Sequence, residues 1–305
     1  MTEWVNHISE SGKIGVLAVA LIAAVVVCLV IFFRKKSKNK KPEEARTKPV
    51  QAPGSYQAAN HGAILIGNAQ HIGARKDQQD SFGVSSMDAV SSVGLLAVLA
   101  DGMGGLNNGS VYSKTAVQAA LQSFRDECAE KSDEATLLRI LKRAREAVEN
   151  TGLTDGGTTF IAALIRDQML HFVSVGDSRI CLMRNGGIIQ LNREHIYGRE
   201  LDDLAANGLL SEEEANSDTQ RSAITSYLGK TGELELDRNI NAVPLFSGDK
   251  VILMSDGVYG YLPEQKLTEL LYQKPMKAAE SVEKAILEKN NPHQDNMTII
   301  ILEIE

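Results

Sequence analysis

Residues 95–110 read LLAVLADGMGGLNNGS. An apolar run ends on a carboxylate, Asp101, and glycines follow at 102, 104, 105 and 109. An apolar run of strand length says that the backbone is buried up to Ala100, so Asp101 is delivered at the rim of a core and not in open solvent. The glycines strip side chains from the turn, which lets another group approach the main chain and frees the Gly102 carbonyl to act as a ligand. No Lys or Arg lies within the stretch, so a metal cation is the natural partner for Asp101. An aspartate that merely opens a glycine-rich turn at a strand end is the plainer reading, and taken alone the stretch favours it.

The same logic recurs along the chain. Residues 250–260, KVILMSDGVYG, carry an apolar strand to Asp256 with glycine next; residues 294–298, QDNMT, place Asp295 just before a last apolar strand. Asp177 sits in the turn of SVGDSR (174–179), and Asp80 in the polar segment HIGARKDQQDSF (71–82), which also holds Arg75 and reads as a loop. Strand-end aspartates gathered on one edge of a core make the oxygen-lined cluster that hard divalent cations prefer.

Helical spacing marks 111–124, 135–148, 264–272 and 276–288, with a short helix near 201–206 in a polar excursion over 192–221. Strand-length runs cover 63–69, 158–165, 170–175, 179–183, 188–191, 224–228, 234–240, 250–254 and 297–304. The four between 158 and 191 are joined by turns too short for a parallel crossover, so they are antiparallel neighbours. Blocks of strands alternating with pairs of helices predict packed sheets covered by helices in a single α+β domain.

The chain's 305 residues divide unevenly. Residues 14–33, IGVLAVALIAAVVVCLVIFF, lack any charge and as a helix rise roughly 30 Å, the thickness of a bilayer's hydrocarbon core. They predict a transmembrane helix after a short extracytoplasmic N-terminus, 1–13. Arg34, Lys35, Lys36, Lys38, Lys40 and Lys41 follow it and only Lys13 immediately precedes it, which puts everything beyond residue 33 in the cytoplasm. A cleaved secretory signal is the competing reading, but it carries its positive charge before a shorter apolar run. Residues 34–60 have almost nothing to bury and read as a basic flexible linker; 61–305 is the globular part. Residues 1–60 hold nine Lys+Arg and four Asp+Glu, leaving −12 on 61–305, a balance that argues against nucleic acid as a partner. Cys28, Cys128 and Cys181 are far apart in apolar or helical contexts, the pattern of buried thiols in a reducing compartment.

Taken together, RKDQQDS (75–81), ADGMGG (100–105), GGTT (156–159), VGDSR (175–179), LNREH (191–195), ITSYLG (224–229), LMSDG (253–257) and DNMT (295–298) resemble the metal-dependent protein serine/threonine phosphatases, the PPM or type 2C family, in its bacterial form. The resemblance implies a central antiparallel β-sandwich flanked by helices on both faces, with two Mg²⁺ or Mn²⁺ ions at one end. It gives Asp101 as the residue bridging both ions with the Gly102 carbonyl beside it, Asp256 and Asp295 to one ion, Asp80 to the other, and Asp177 with Asp256 to a weaker third. Arg75 is the implied phosphate ligand, its planar fork bonding two oxygens at once. The implied reaction is hydrolysis of phosphoserine and phosphothreonine on proteins by a water activated between two cations, at the cytoplasmic face of the cell membrane. A serine/threonine kinase or its targets are the implied partners.

Gln79 stands where many members have glutamate, and Met103 where many have a histidine proposed to protonate the leaving group; methionine has no proton to give. His195 reads either as an orienting residue or as a surface histidine. The excursion at 192–221 reads either as a flap that selects substrates or as a solvated loop. Tyr259 and Tyr261 read as packing residues. Two other functions fit the same fold: a non-catalytic phosphoprotein-binding scaffold, whose signature is a lost ligand not seen here, and a phosphohydrolase of small nucleotides or lipids.

Overall fold

The computed structural model describes residues 63–87, 93–104, 108–127 and 133–305. Residues 14–33, the linker at 34–60, Gly105, Cys28 and Cys128 lie outside the described residues. Among the described residues, no helix is long and apolar enough to cross a membrane.

One sheet has the order β1 (Ile64–His71), β12 (Met297–Ile304), β11 (Lys250–Met254), β7 (Arg179–Arg184), β8 (Gly187–Gln190). The other runs β10 (Val243–Pro244), β6 (Met169–Val175), β5 (Phe160–Arg166), β3 (Leu95–Gly104), β2 (Asp80–Val84), with β4 (Gly156–Thr158) on β3 and β9 (Asp237–Arg238) on β6. Every pairing is antiparallel.

The unbroken apolar runs have a direct cause. Along β3, Leu95, Ala97 and Leu99 turn inward between the sheets, where they meet Ile161, Ile180, Leu253 and Ile300. Leu96, Val98 and Ala100 turn outward onto Tyr112, Ala116, Leu137 and Ile140 of helices α1 (Asn108–Glu127) and α2 (Asp133–Glu149). Because side chains alternate between faces, a strand covered on both needs apolar residues at every position. The first sheet is built alike. Val251 and Leu253 face the sandwich, while Ile252 and Met254 face α5 (Asp256–Tyr259), α6 (Glu264–Leu271) and α7 (Pro275–Leu287). Four layers result, helix, sheet, sheet, helix, as expected from the sequence. Cys181 is buried, as its apolar context predicted, and burial pushes its thiol up to about 12.

Three predicted segments fold differently. The loop predicted over 71–82 ends early, because Asp80 already pairs with Asp101 as the first residue of β2. The strand predicted at 224–228 is held only by single bridges, Ile224 to Ile196 and Leu228 to Thr158; its two ends meet different partners, so no continuous ladder forms. Of 234–240, only Asp237 and Arg238 pair. The short helix near 201–206 is α3 (Tyr197–Ala206), and α4 (Glu212–Ser217) follows it behind a Ser211–Glu214 capping box.

Glu305 N–H donates to the Ala63 carbonyl at 2.9 Å, so the two ends of the described domain are neighbours. Leu99 is fully buried between the sheets. Leu99→Ala should lower unfolding free energy by about 2–5 kcal/mol, measured by urea denaturation.

Candidate metal centre

Asp101 and Asp80 are cross-strand partners on β3 and β2. Like charges placed opposite one another weaken a sheet, so the pair is not there for stability. Asp256 follows the end of β11, Asp177 follows the end of β6, and Asp295 precedes the start of β12. These strand ends all lie at one end of the sandwich. Asp101, Asp177, Asp256 and Asp295 line a cleft of about 420 Å³ together with Arg75, Gly102 and Met103. Asp80 lies behind it, 2 % exposed.

Each carboxylate is fixed by neighbours that hold its backbone or one of its oxygens. The Asp101 peptide is clamped on both sides: its N–H donates to Thr159 Oγ1 at 2.8 Å, and its carbonyl accepts from Thr159 N–H at 2.8 Å and Thr158 Oγ1 at 2.9 Å. Gly102 must be glycine, since a Cβ there would lie 2.1 Å from the Gly109 carbonyl oxygen. Asp80 Oδ2 accepts from Ser255 Oγ at 2.8 Å and Thr298 Oγ1 at 2.7 Å. The Asp177 carbonyl accepts from Tyr259 Oη at 3.1 Å, and Tyr261 Oη lies 3.3 Å from the Asp295 N–H that donates to it. Both tyrosines therefore pack and also brace the turns. His195 is buried, its Nδ1 3.2 Å from the Gly176 N–H and its own N–H donating to the Gly176 carbonyl. It is no surface histidine; it orients the turn that carries Asp177. The excursion at 192–221 adds no wall to the cleft, whereas Ile224, just after it, does.

The electrostatics follow from crowding. Burial, then repulsion from Asp80 and Asp256, pushes the Asp101 carboxyl well above the usual carboxylate range. Burial lifts Asp80 to about 6 against the lowering effect of Thr298 and Ser255. Burial and then Asp256 lift Asp177 to about 7, and burial and then Asp295 raise Asp256.

These residues suit a hard cation. Buried Asp80 Oδ1 and Asp177 Oδ1 have no hydrogen-bond partner, a costly state for a carboxylate oxygen. Among the described residues, no three His, Cys, Asp or Glu side chains form a ready-made cage. A cage is not what such an ion requires. Mg²⁺ keeps several waters and takes only one or two carboxylates, so carboxylates facing a wet cleft are the matching donor set.

A family model described as protein phosphatase 2C matches residues 68–291. The chain belongs to the protein phosphatase 2C family. The serine/threonine phosphatase stp of Listeria monocytogenes is 29% identical over 217 residues, 68% of this chain and 84% of that protein. The solved S. agalactiae serine/threonine phosphatase has a TM-score of 0.68 at 26% identity, with 80% of this chain and 100% of that one covered. The catalytic domain of the phosphatase PstP, solved in complex with two manganese ions, shares the fold at a TM-score of 0.60 and 24% identity, over 79% of this chain and 99% of that one.

Reading the sequence brought Arg75 and the aspartates to one place but gave no role to Thr158, Thr159, Ser255, Asn296 or Thr298. Part of their signal was present: Ser255 and Asn296 adjoin Asp256 and Asp295 and Thr298 lies three residues beyond Asp295, whereas Thr158 and Thr159 adjoin no site aspartate in the sequence.

Raised carboxyl pKa values carry a stability consequence. Between the unfolded value of 3.8 and the folded values of about 6 for Asp80 and about 7 for Asp177, the native state holds protons that the unfolded chain has released. The contribution of these two groups to stability in EDTA should therefore fall as pH rises from about 4 to 7. Urea midpoints across that range test this, and Asp177→Asn should flatten the slope.

Proposed function

We propose that this protein hydrolyses phosphoserine and phosphothreonine on other proteins, using Mg²⁺ or Mn²⁺ held by the cleft aspartates. The observation that carries this reading is the convergence of Asp101, Asp177, Asp256 and Asp295 on one cleft with Arg75 at its edge. Asp101, the cross-strand partner of Asp80, would hold both ions, with the Gly102 carbonyl beside it. Asp256 and Asp295 would hold one ion, Asp80 the other, and Asp177 with Asp256 a weaker third. Bound there, the cations lower the pKa of water to near neutrality and offset the charge that develops on the phosphoryl group.

The chain's own groups do the rest. Arg75, more than half exposed, offers a guanidinium that bonds two phosphate oxygens in one plane. Met103 lines the cleft and supplies bulk but no proton, so the leaving oxygen is protonated by some other group. Ser255 and Thr298 hold Asp80 ionised against its burial. No member of the aspartate set is missing, which favours turnover over a binding-only scaffold.

The reading extends to location. The hydropathy of residues 14–33 and the basic residues after them support a single-pass anchor with 61–305 in the cytoplasm. Substrates near the membrane, such as a serine/threonine kinase or its targets, follow from that placement.

Two measurements test the chemistry on the full chain in mild detergent with Mn²⁺. Asp101→Asn should cut phosphate release from a phosphothreonine peptide by about 10²–10³-fold, the scale of losing one transition-state-stabilising group; parental activity would overturn the assignment. Thr298→Val leaves Asp80 short of one donor. It should weaken Mn²⁺ binding by about 10–100-fold in calorimetry, as loss of an outer hydrogen bond to a metal ligand does.

A further inference from the structure

Arg75 sits on a loop between β1 and β2, and a guanidinium that must meet a phosphate needs its backbone held to a fraction of an ångström. Three backbone groups from both arms of that loop end on one side chain. Asn296 Nδ2 donates to the carbonyls of Ile72 at 2.8 Å and Asp77 at 3.0 Å, and Asn296 Oδ1 accepts from Gln79 N–H at 2.7 Å. Asn296 is only 5 % exposed, so these bonds form where water competes poorly for them.

The seating is close along the loop's length. Ala74 N–H donates to the Gln294 carbonyl at 2.9 Å. Gly73 has φ +66°, and a Cβ there would lie 2.2 Å from the Asp295 carbonyl oxygen, so only glycine lets the loop lie against residues 294–295. With the loop so placed, Arg75 Nη2 reaches Asp295 Oδ2 at 2.6 Å.

Resting on the reading of Arg75 as the phosphate ligand, we infer that Asn296 is the positioning residue that holds Arg75 at the cleft. It ties the phosphate grip to the turn that carries Asp295. The Asn296 side chain bonds no aspartate; its three partners are all backbone groups of the Arg75 loop. Only its backbone N–H, which Asn296→Ala retains, donates to Asp295 Oδ1 at 2.8 Å. Its loss should act through the guanidinium and spare the cations.

The test uses the full chain in mild detergent, with a phosphothreonine peptide as substrate, inorganic phosphate as inhibitor and Mn²⁺ binding followed by calorimetry. Asn296→Ala should raise the peptide KM and the phosphate Ki by about tenfold. Mn²⁺ affinity should stay within about threefold of the parent, because the carboxylates keep their own supports. Gly73→Ala, whose Cβ would press on the Asp295 and Gln294 carbonyls and unseat the loop, should likewise raise KM and Ki, and the Mn²⁺ comparison is made on Asn296→Ala. Adding either change to Arg75→Ala should cost little beyond Arg75→Ala alone, since groups acting as one unit are non-additive. Losses that multiply with that of Arg75→Ala, a Mn²⁺ affinity that falls in step with activity, or a parental KM in Asn296→Ala would each overturn the inference while leaving the phosphatase reading intact. An Arg75→Ala protein with parental KM and Ki would overturn the reading of Arg75 and this inference with it.

Discussion

Mutual repulsion among five aspartates at one end of a β-sandwich is the constraint on which the molecule turns. Separately, a carboxylate at a strand end costs little; gathered here, burial first and then neighbouring carboxylates raise Asp101, Asp177 and Asp256, and burial raises Asp80. A flexible scaffold would relax by swinging the side chains apart. Here they cannot disperse, because strands β2, β3, β6, β11 and β12 are buried in the sandwich and deliver them to the same edge.

The supporting polar residues show how such an arrangement is kept in place. Thr158 and Thr159 grip the peptide of Asp101, while Thr159 Oγ1 meets Ser178 Oγ at 2.8 Å in the turn next to Asp177. Ser255 serves Asp80 and also accepts from Thr298 N–H at 3.0 Å, joining β11 to β12. These contacts cross between chain segments far apart in sequence, so moving one carboxylate disturbs the supports of the next. Buried polar networks of this kind rigidify when satisfied, and this one leaves Asp80 Oδ1 and Asp177 Oδ1 without a hydrogen-bond partner.

Much of this was legible in the linear chain, for reasons that particular residues make plain. The run before Asp101 announced a buried strand, and the same grammar at Asp256 and Asp295 pointed to an edge they could share. Where pattern alone failed, the cause was local. Asp80, Ser81 and Gly83 carry no apolar alternation, so β2 hid in a polar segment and was formed by pairing with β3. Ile224 and Leu228 look like strand residues but find only isolated bridges, because partner edges are a property of the whole fold. The work of Asn296 was invisible for the same reason: its three partners lie more than 200 residues away.

The pairing of Ile64 with Ile304 and of His71 with Met297 gives the domain a polarity. Strand β12 starts beside Asp295 at Met297 and ends seven residues later at Ile304, roughly 24 Å away at strand rise, where Glu305 meets Ala63. Both ends of the folded unit thus emerge at the pole remote from the cleft. A label, a solid support or a fused protein joined at either end leaves the mouth of the cleft clear. Splicing those ends together with a few residues would yield a closed ring that new termini can open elsewhere on the surface.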